Sequence, residues 1–417
     1  MGARPGNSQQ RGIPFQAVRQ GVYPSVPQRG EAVVILLLED EIPSIERNGD
    51  YAIVAITKHG VELARKLHAS FGRSDLYYMS KFRRGDEEER GIQLFEGSVR
   101  LLFPALFPAY KGLIIIISLG AVIRMIAPLL KDKKEDPGIV VIDDKGEHVI
   151  SVLSGHLGGA NELTREVAAA IEAKPVITTA SDVQGTIAVD LFGRRFGWEW
   201  ESDEKLTPVS ASVVNEEQVA VVQESGETGW WLYDTPLPAN IRTYGSLAEG
   251  LQASPHAALV VTHRVLSPEE EAILSNGILY RPKVIALGIG CNRGTAADEI
   301  EGVVRETLAE LGLALRSVQA ICTIDLKKDE EGLLAVANKF RWELVTYTAE
   351  QLNEATIEAP SDTVFKFTGA YAVSEPAAKL YTGSSDLVLV KKKSGNVTIS
   401  VGVKRRGWRE TGRMAER

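Results

Sequence analysis

His156 is the side chain of this protein most readily given a chemical task. It sits in Ser154-Gly155-His156-Leu157-Gly158-Gly159-Ala160-Asn161, between an apolar run (Val149 to Leu153) and a segment with Leu163, Val167, Ala170 and Ile171 at helical spacing. Gly158 and Gly159 permit a tight turn at positive φ, or close approach of a ligand to the backbone. The expected arrangement is a strand, a small-residue loop and a helix opening near Ala160. The unpartnered amides of its first turn then form an anion site beside a titratable imidazole. Asn161 either donates to a ligand or caps its own helix. Ser154 lies in no GxSxG elbow, so ligand contact is expected of it rather than nucleophilic attack.

A second loop follows the same plan. The strand Val284 to Leu287 runs into Gly288-Ile289-Gly290-Cys291-Asn292-Arg293-Gly294, and a helix is expected to open at Thr295 with Asp298 as its cap partner. The spacing is GxGxxxG, and no acidic residue closes a second strand about 20 residues on, which disfavours a dinucleotide. The loop reads instead as a seat for a carboxylate of a larger ligand, with Gly290, Asn292 and Thr295 around it and Arg293 as a bidentate donor. Cys291 has no evident base nearby. Asp182 ends Thr178-Thr179-Ala180-Ser181-Asp182 and either orients His156, relays a proton or caps a helix. Arg124, in an otherwise apolar stretch, requires a carboxylate partner, from the protein or from a ligand. Asp325 and Lys327, on a polar loop, are candidate ligand contacts. Glu375 at a helix start complements the helix dipole or meets a ligand.

The elements that must carry these residues alternate short apolar strands with helices. They predict an α/β protein of several domains, with layered sheets, flanking helices and largely parallel or mixed strands. The composition shifts divide it into a disordered basic tail (1–30), an N-terminal α/β domain (31–193), a middle α/β segment (194–282), a C-terminal α/β domain (283–406) and a flexible tail (407–417). Strands are expected at Val33 to Leu38 and Trp230 to Tyr233, among others. Asp143-Asp144-Lys145-Gly146 marks a hairpin. The loops Ser118–Gly120, Ser154–Asn161 and Thr178–Asp182 all end strands and are expected to converge.

Composition excludes other classes. A net charge of −8 argues against nucleic acid and anionic membranes as partners. Leu113 to Leu130 approaches spanning length, but Gly120 and Pro128 interrupt it, and Arg124 inside a bilayer would cost about 2.5–3.5 kcal/mol. A buried strand, a turn and a short helix are expected there. Two cysteines, Cys291 and Cys322, are too few for a disulfide framework and fit a reducing cytoplasm; neither has metal-ligand spacing.

The stretch Ser118 to Glu166, which contains SVLSGHLGGANELTRE, resembles the CbiG family, the cobalt-precorrin-5A hydrolases of anaerobic cobalamin biosynthesis. Val284 to Glu301 (VIALGIGCNRGTAADEIE), Thr323 to Lys327 and Ser374 to Ala378 resemble that family's C-terminal domain. The resemblance implies a corrinoid substrate with many carboxylate arms and a lactone at C20, opened by water with release of acetaldehyde to give cobalt-precorrin-5B. It implies no cofactor and no protein-bound metal, because the substrate carries the cobalt. It also implies handover partners among the pathway's methyltransferases. On that chemistry His156 becomes a general base, an axial cobalt ligand or a structural imidazole, and the Gly158 and Gly159 amides become oxyanion donors. The two helix starts would together grip one many-armed acid. The alternatives are a non-catalytic corrinoid carrier, since the C-terminal domain can occur alone in that family, and a nucleotide-dependent enzyme built on the Gly288 loop.

Overall fold

The computed structural model describes residues 43–358 and 360–407. The expected tail at 1–30, the expected tail at 407–417 from residue 408 on, and the strand at Val33 to Leu38 lie outside the described residues.

Three sheets follow one another along the chain. The first contains β1 (Tyr51–Ala55), β2 (Ser74–Met79), β3 (Gln93–Phe95), β4 (Gly112–Ile116), β5 (Gly138–Ile142), β6 (His148–Leu153) and β7 (Lys174–Val176), in the order β3-β2-β1-β4-β5-β6-β7. The second orders β8 (Glu199–Glu201), β9 (Val219–Gln223), β10 (Ile241–Tyr244), β11 (Ala257–Val261) and β12 (Gly277–Arg281) as β10-β9-β11-β12-β8. The third orders β13 (Ile285–Cys291), β14 (Val318–Ile324), β15 (Glu343–Tyr347), β16 (Leu389–Ser394) and β17 (Val397–Val403) as β15-β14-β13-β17-β16. Parallel pairs dominate the first two sheets, and each sheet has antiparallel pairing at or towards one edge. The α/β layering expected from the sequence is the architecture found.

Continuous apolar runs explain the central strands. Leu113 to Ile116 in β4 and Ile139 to Ile142 in β5 are almost wholly buried, as befits strands covered by helices on both faces. Among the described residues no helix is long and apolar enough to cross a membrane. The apolar stretch ending at Leu130 is β4 followed by the helix Leu119–Ile126. Trp230 to Tyr233 forms no strand; its indoles and ring pack as a loop, with Trp230 against Phe192 and Trp231 against Tyr233.

One pairing decides where the chemistry sits. The turn at Asp143–Gly146 folds β6 back antiparallel to β5, and β7 then runs parallel to β6. The carboxyl ends of β6 and β7 therefore lie at the amino ends of β4 and β5. The loops after β6 and β7 meet, as expected. The Ser118–Gly120 loop, at the carboxyl end of β4, lies at the opposite edge, because the hairpin reverses the chain between them.

Candidate active site

The turn between β6 and the helix Ala160–Ile171 is held by its own backbone. Ser154 (φ +55°) and Gly159 (φ +78°) are left-handed. A Cβ on Gly158 would lie 2.3 Å from Ser154 Cβ and 2.9 Å from its carbonyl oxygen, so only glycine fits the crossing. Three of the amides expected to bind an anion are already satisfied. Gly159 N donates to His156 O (3.0 Å), Ala160 N to Ser154 O (3.1 Å) and Asn161 N to Gly155 O (2.9 Å). The expected anion site at this helix start is therefore closed by the loop itself, and Gly159 is no oxyanion donor. Ser154 Oγ is buried, with no hydrogen-bond partner among the described residues.

What the turn does is hold His156 between two carboxylates. Nε2 lies 3.0 Å from Asp182 Oδ2, and Nδ1 lies 2.9 Å from Asp190 Oδ1. Ser181 Oγ is 3.2 Å from Nε2. Asp182 comes from the short helix Ala180–Gln184 after β7, and Asp190 from the single turn Val189–Leu191 that leads towards the second sheet. The hydrogen bonds accepted by Asp182 and then Asp190 push the His156 pKa up to about 9, against burial, which opposes the charge. At neutral pH the ring is an imidazolium with both N–H groups facing carboxylates. In that state it has no lone pair with which to accept a proton or bind cobalt. Asp182 is held down at about 2, first by His156 and, against burial, by Arg165.

Asn161 is a positioning residue rather than a ligand contact or a cap. It is buried, its Oδ1 accepts from Ser151 Oγ (2.7 Å), and its Nδ2 donates to Thr179 Oγ1 (2.9 Å) and Asp182 Oδ2 (2.9 Å). Arg194 Nη1 ties the next segment to the turn at Leu157 O (3.1 Å), and the buried Tyr280 hydroxyl in β12 donates to Val189 O (2.7 Å). A cavity of about 370 Å³ opens beside the clamp. His156, Thr179, Ser181 and Asp190 line one side, Lys133 lies on its wall, and Thr207, Ser210 and Val214 of the helix Leu206–Val214 face them.

Residues expected at the same site lie elsewhere. Arg124 is exposed on the helix Leu119–Ile126, at the other sheet edge, with no carboxylate partner among the described residues. The short helix turns it outward and removes the need for a buried counter-charge. At the second loop the helix begins at Ala297, with no side-chain cap; Thr295 Oγ1 donates instead to Asn292 O (2.8 Å). The carboxylate predicted there is the protein's own. Glu330, 2% exposed, accepts from Gly294 N (2.7 Å) and pairs with Lys327 Nζ (2.9 Å) and Arg293 Nη1 (3.5 Å). These partners hold its carboxyl below the usual range although burial pushes the other way. Arg293 also binds Asp329 (2.8 Å) and Leu326 O (2.9 Å), and Asn292 binds Asn396 Oδ1 (2.7 Å). Gly290 is a strand residue of β13. Glu375 is buried and taken by Lys379 Nζ (2.7 Å) and Glu358 N (3.0 Å). Asp325 is partly exposed in the turn after β14. Burial raises both thiols, which argues against Cys291 as a nucleophile. The depression beside Arg293, of about 520 Å³, contains no residue of the histidine turn, so the two loops do not line one cavity there.

Asp190 escaped the sequence reading. The available signal was an acidic residue inside the apolar run Ile187-Ala188-Val189-Asp190-Leu191, where a charge requires a partner.

A histidine held between two carboxylates, beside a cavity lined by segments that lead into the first two sheets, is the candidate site of this three-sheet α/β protein. Three family models match in sequence order: Cobalamin synthesis G N-terminal (residues 102–182), Cobalamin biosynthesis central region (187–282) and Cobalamin synthesis G C-terminus (285–402). The chain belongs to the cobalamin synthesis G (CbiG) family. It is 70% identical to a cobalt-precorrin-5A hydrolase of Priestia megaterium over 89% of this chain and 99% of that protein. It is 33% identical to a cobalt-precorrin-5A hydrolase of Salmonella typhimurium over 84% of this chain and 97% of the other. A solved cobalamin biosynthesis protein G homologue from Sulfolobus solfataricus, 20% identical, covers 85% of this chain with a TM-score of 0.33.

Proposed function

We propose that this protein is a cobalt-precorrin-5A hydrolase that works in the cavity beside His156. The reading rests on the 70% identity that runs through virtually the whole of a protein bearing that name. The chemistry of the cavity supports it. Water can enter beside the carboxylate of Asp190, and the imidazolium behind it offsets negative charge on groups that approach. The walls are mostly small, apolar or hydroxyl-bearing, with Lys133 as the cation nearest a carboxylate arm. At about 370 Å³ the cavity takes one edge of a corrinoid rather than the whole ring, so the lactone edge enters and the other arms stay outside. Water adds across the lactone, and the C20 unit leaves as acetaldehyde. The cobalt belongs to the substrate. The cytoplasm is the compartment this assigns, with the methyltransferases before and after it as handover partners.

Incubation with cobalt-precorrin-5A tests the reading. Stoichiometric acetaldehyde with conversion of the corrinoid supports it. Corrinoid bound and recovered intact, without acetaldehyde, contradicts it and makes the protein a carrier.

A further inference from the structure

The two carboxylates that hold His156 are not equivalent. Asp182 is saturated: Oδ2 accepts from His156 (3.0 Å) and Asn161 Nδ2 (2.9 Å), and Oδ1 is bound by Arg165. It does not line the cavity. Asp190 has one partner among the described residues, His156 Nδ1 at 2.9 Å, which engages Oδ1. Its Oδ2 has no hydrogen-bond partner among the described residues, and Asp190 forms part of the cavity wall. Its backbone is fixed from the second sheet, where fully buried Tyr280 donates to the neighbouring carbonyl of Val189 (2.7 Å). A carboxylate on the wall of a cavity that admits water, with one oxygen anchored to a cation and the other without a partner, has the geometry of a general base.

We infer that Asp190, rather than His156, takes the proton of the attacking water, and that His156 and Asp182 are the positioning pair behind it. This rests on the hydrolase reading given above. As water approaches the lactone carbonyl, one of its O–H bonds breaks and the proton passes to Asp190 Oδ2. The water oxygen forms the new bond to the carbonyl carbon, the ring C–O bond breaks, and the departing alkoxide takes the proton back from Asp190. One water is added, and Asp190 returns to the carboxylate. His156 stays protonated throughout, so its charge offsets whichever carboxylate is ionised. The site is thereby assembled from two segments: the turn and Asp182 fall in the N-terminal family match, Asp190 in the central one.

The test is acetaldehyde release by the full chain. D190N is expected to lose at least about 100-fold in kcat while binding cobalt-precorrin-5A within about threefold of wild type. D190A is expected to regain turnover with added formate, which fits the vacated space, whereas D182A, whose vacated space is not part of the cavity wall, is expected to gain nothing. D190E keeps the charge beside His156 and guards against misfolding; with an unchanged Tm it is expected to lose at least about tenfold. D190N or D190E within about threefold of wild type kcat would overturn the assignment, as would equal formate rescue of D182A. A wild-type protein that releases no acetaldehyde would instead remove the hydrolase reading beneath it, so the two failures are distinct.

Discussion

The turn after β6 and the turn after β13 share one grammar: an apolar strand, clustered glycines, then a helix. They end in opposite states. At Ser154–Asn161 the loop satisfies its own amides and presents a side chain, His156, to carboxylates from two other segments and to a cavity. At Gly288–Gly294 the chain supplies its own anion: Glu330 reaches Gly294 N and is neutralised by Lys327 and Arg293. A helix start preceded by glycines is thus only an offer of donors. What answers it, a ligand or a residue tens of positions away, is decided by tertiary packing.

The largest expected effect lies on the histidine side. H156N, which keeps a polar side chain and removes the charge, is expected to reduce acetaldehyde release at least about 100-fold, because Asp190 loses its anchoring cation. Next in size is stability at the second loop. E330A leaves Lys327 and Gly294 N unmatched and is expected to lower stability by about 1–3 kcal/mol in urea unfolding, with kcat per folded molecule within about twofold of wild type. A loss of turnover there without a loss of stability would erase the contrast between the loops.

The contrast extends to pH. The raised His156 pKa contributes stability that is complete below about 6.5 and is lost as pH rises towards about 9; the lowered Asp182 pKa contributes stability complete above about 3.8 and lost as pH falls towards about 2. The stability difference between wild type and H156N is therefore expected to be greatest near pH 4–6.5 and to shrink by up to about 3 kcal/mol towards pH 9. Parallel stability curves for the two proteins over that range would dissolve the clamp. The smallest effect belongs to R293A. Its pair with Asp329 is exposed, so only a slight loss of stability and no change in corrinoid affinity are expected.

Much of this was legible in the sequence because it depends on local pattern. Apolar runs located the core strands, Asp143–Gly146 gave the hairpin, and the glycines with His156 marked the site. What failed depends on distant partners. The reversal at that same hairpin moved the Ser118 loop to the other edge, a consequence of sheet order that periodicity does not contain. Arg124 looked buried because its neighbours are apolar, yet a two-turn helix points it to solvent. At Asn161 a ligand contact or a cap was open, and at Glu375 a dipole partner or a ligand contact; both are buried and satisfied by other side chains and backbone of the fold. Asp190, 34 positions from His156, joined the site only when the second sheet was set beside the first.

The most direct measurement is the kcat for acetaldehyde release from cobalt-precorrin-5A by H156N and R293A side by side, each corrected for folded protein. A fall of at least about 100-fold for H156N, with R293A within about threefold of wild type, is the predicted result. The reverse order, with H156N near wild type and R293A inactive, would contradict the assignment of the reaction to the histidine turn.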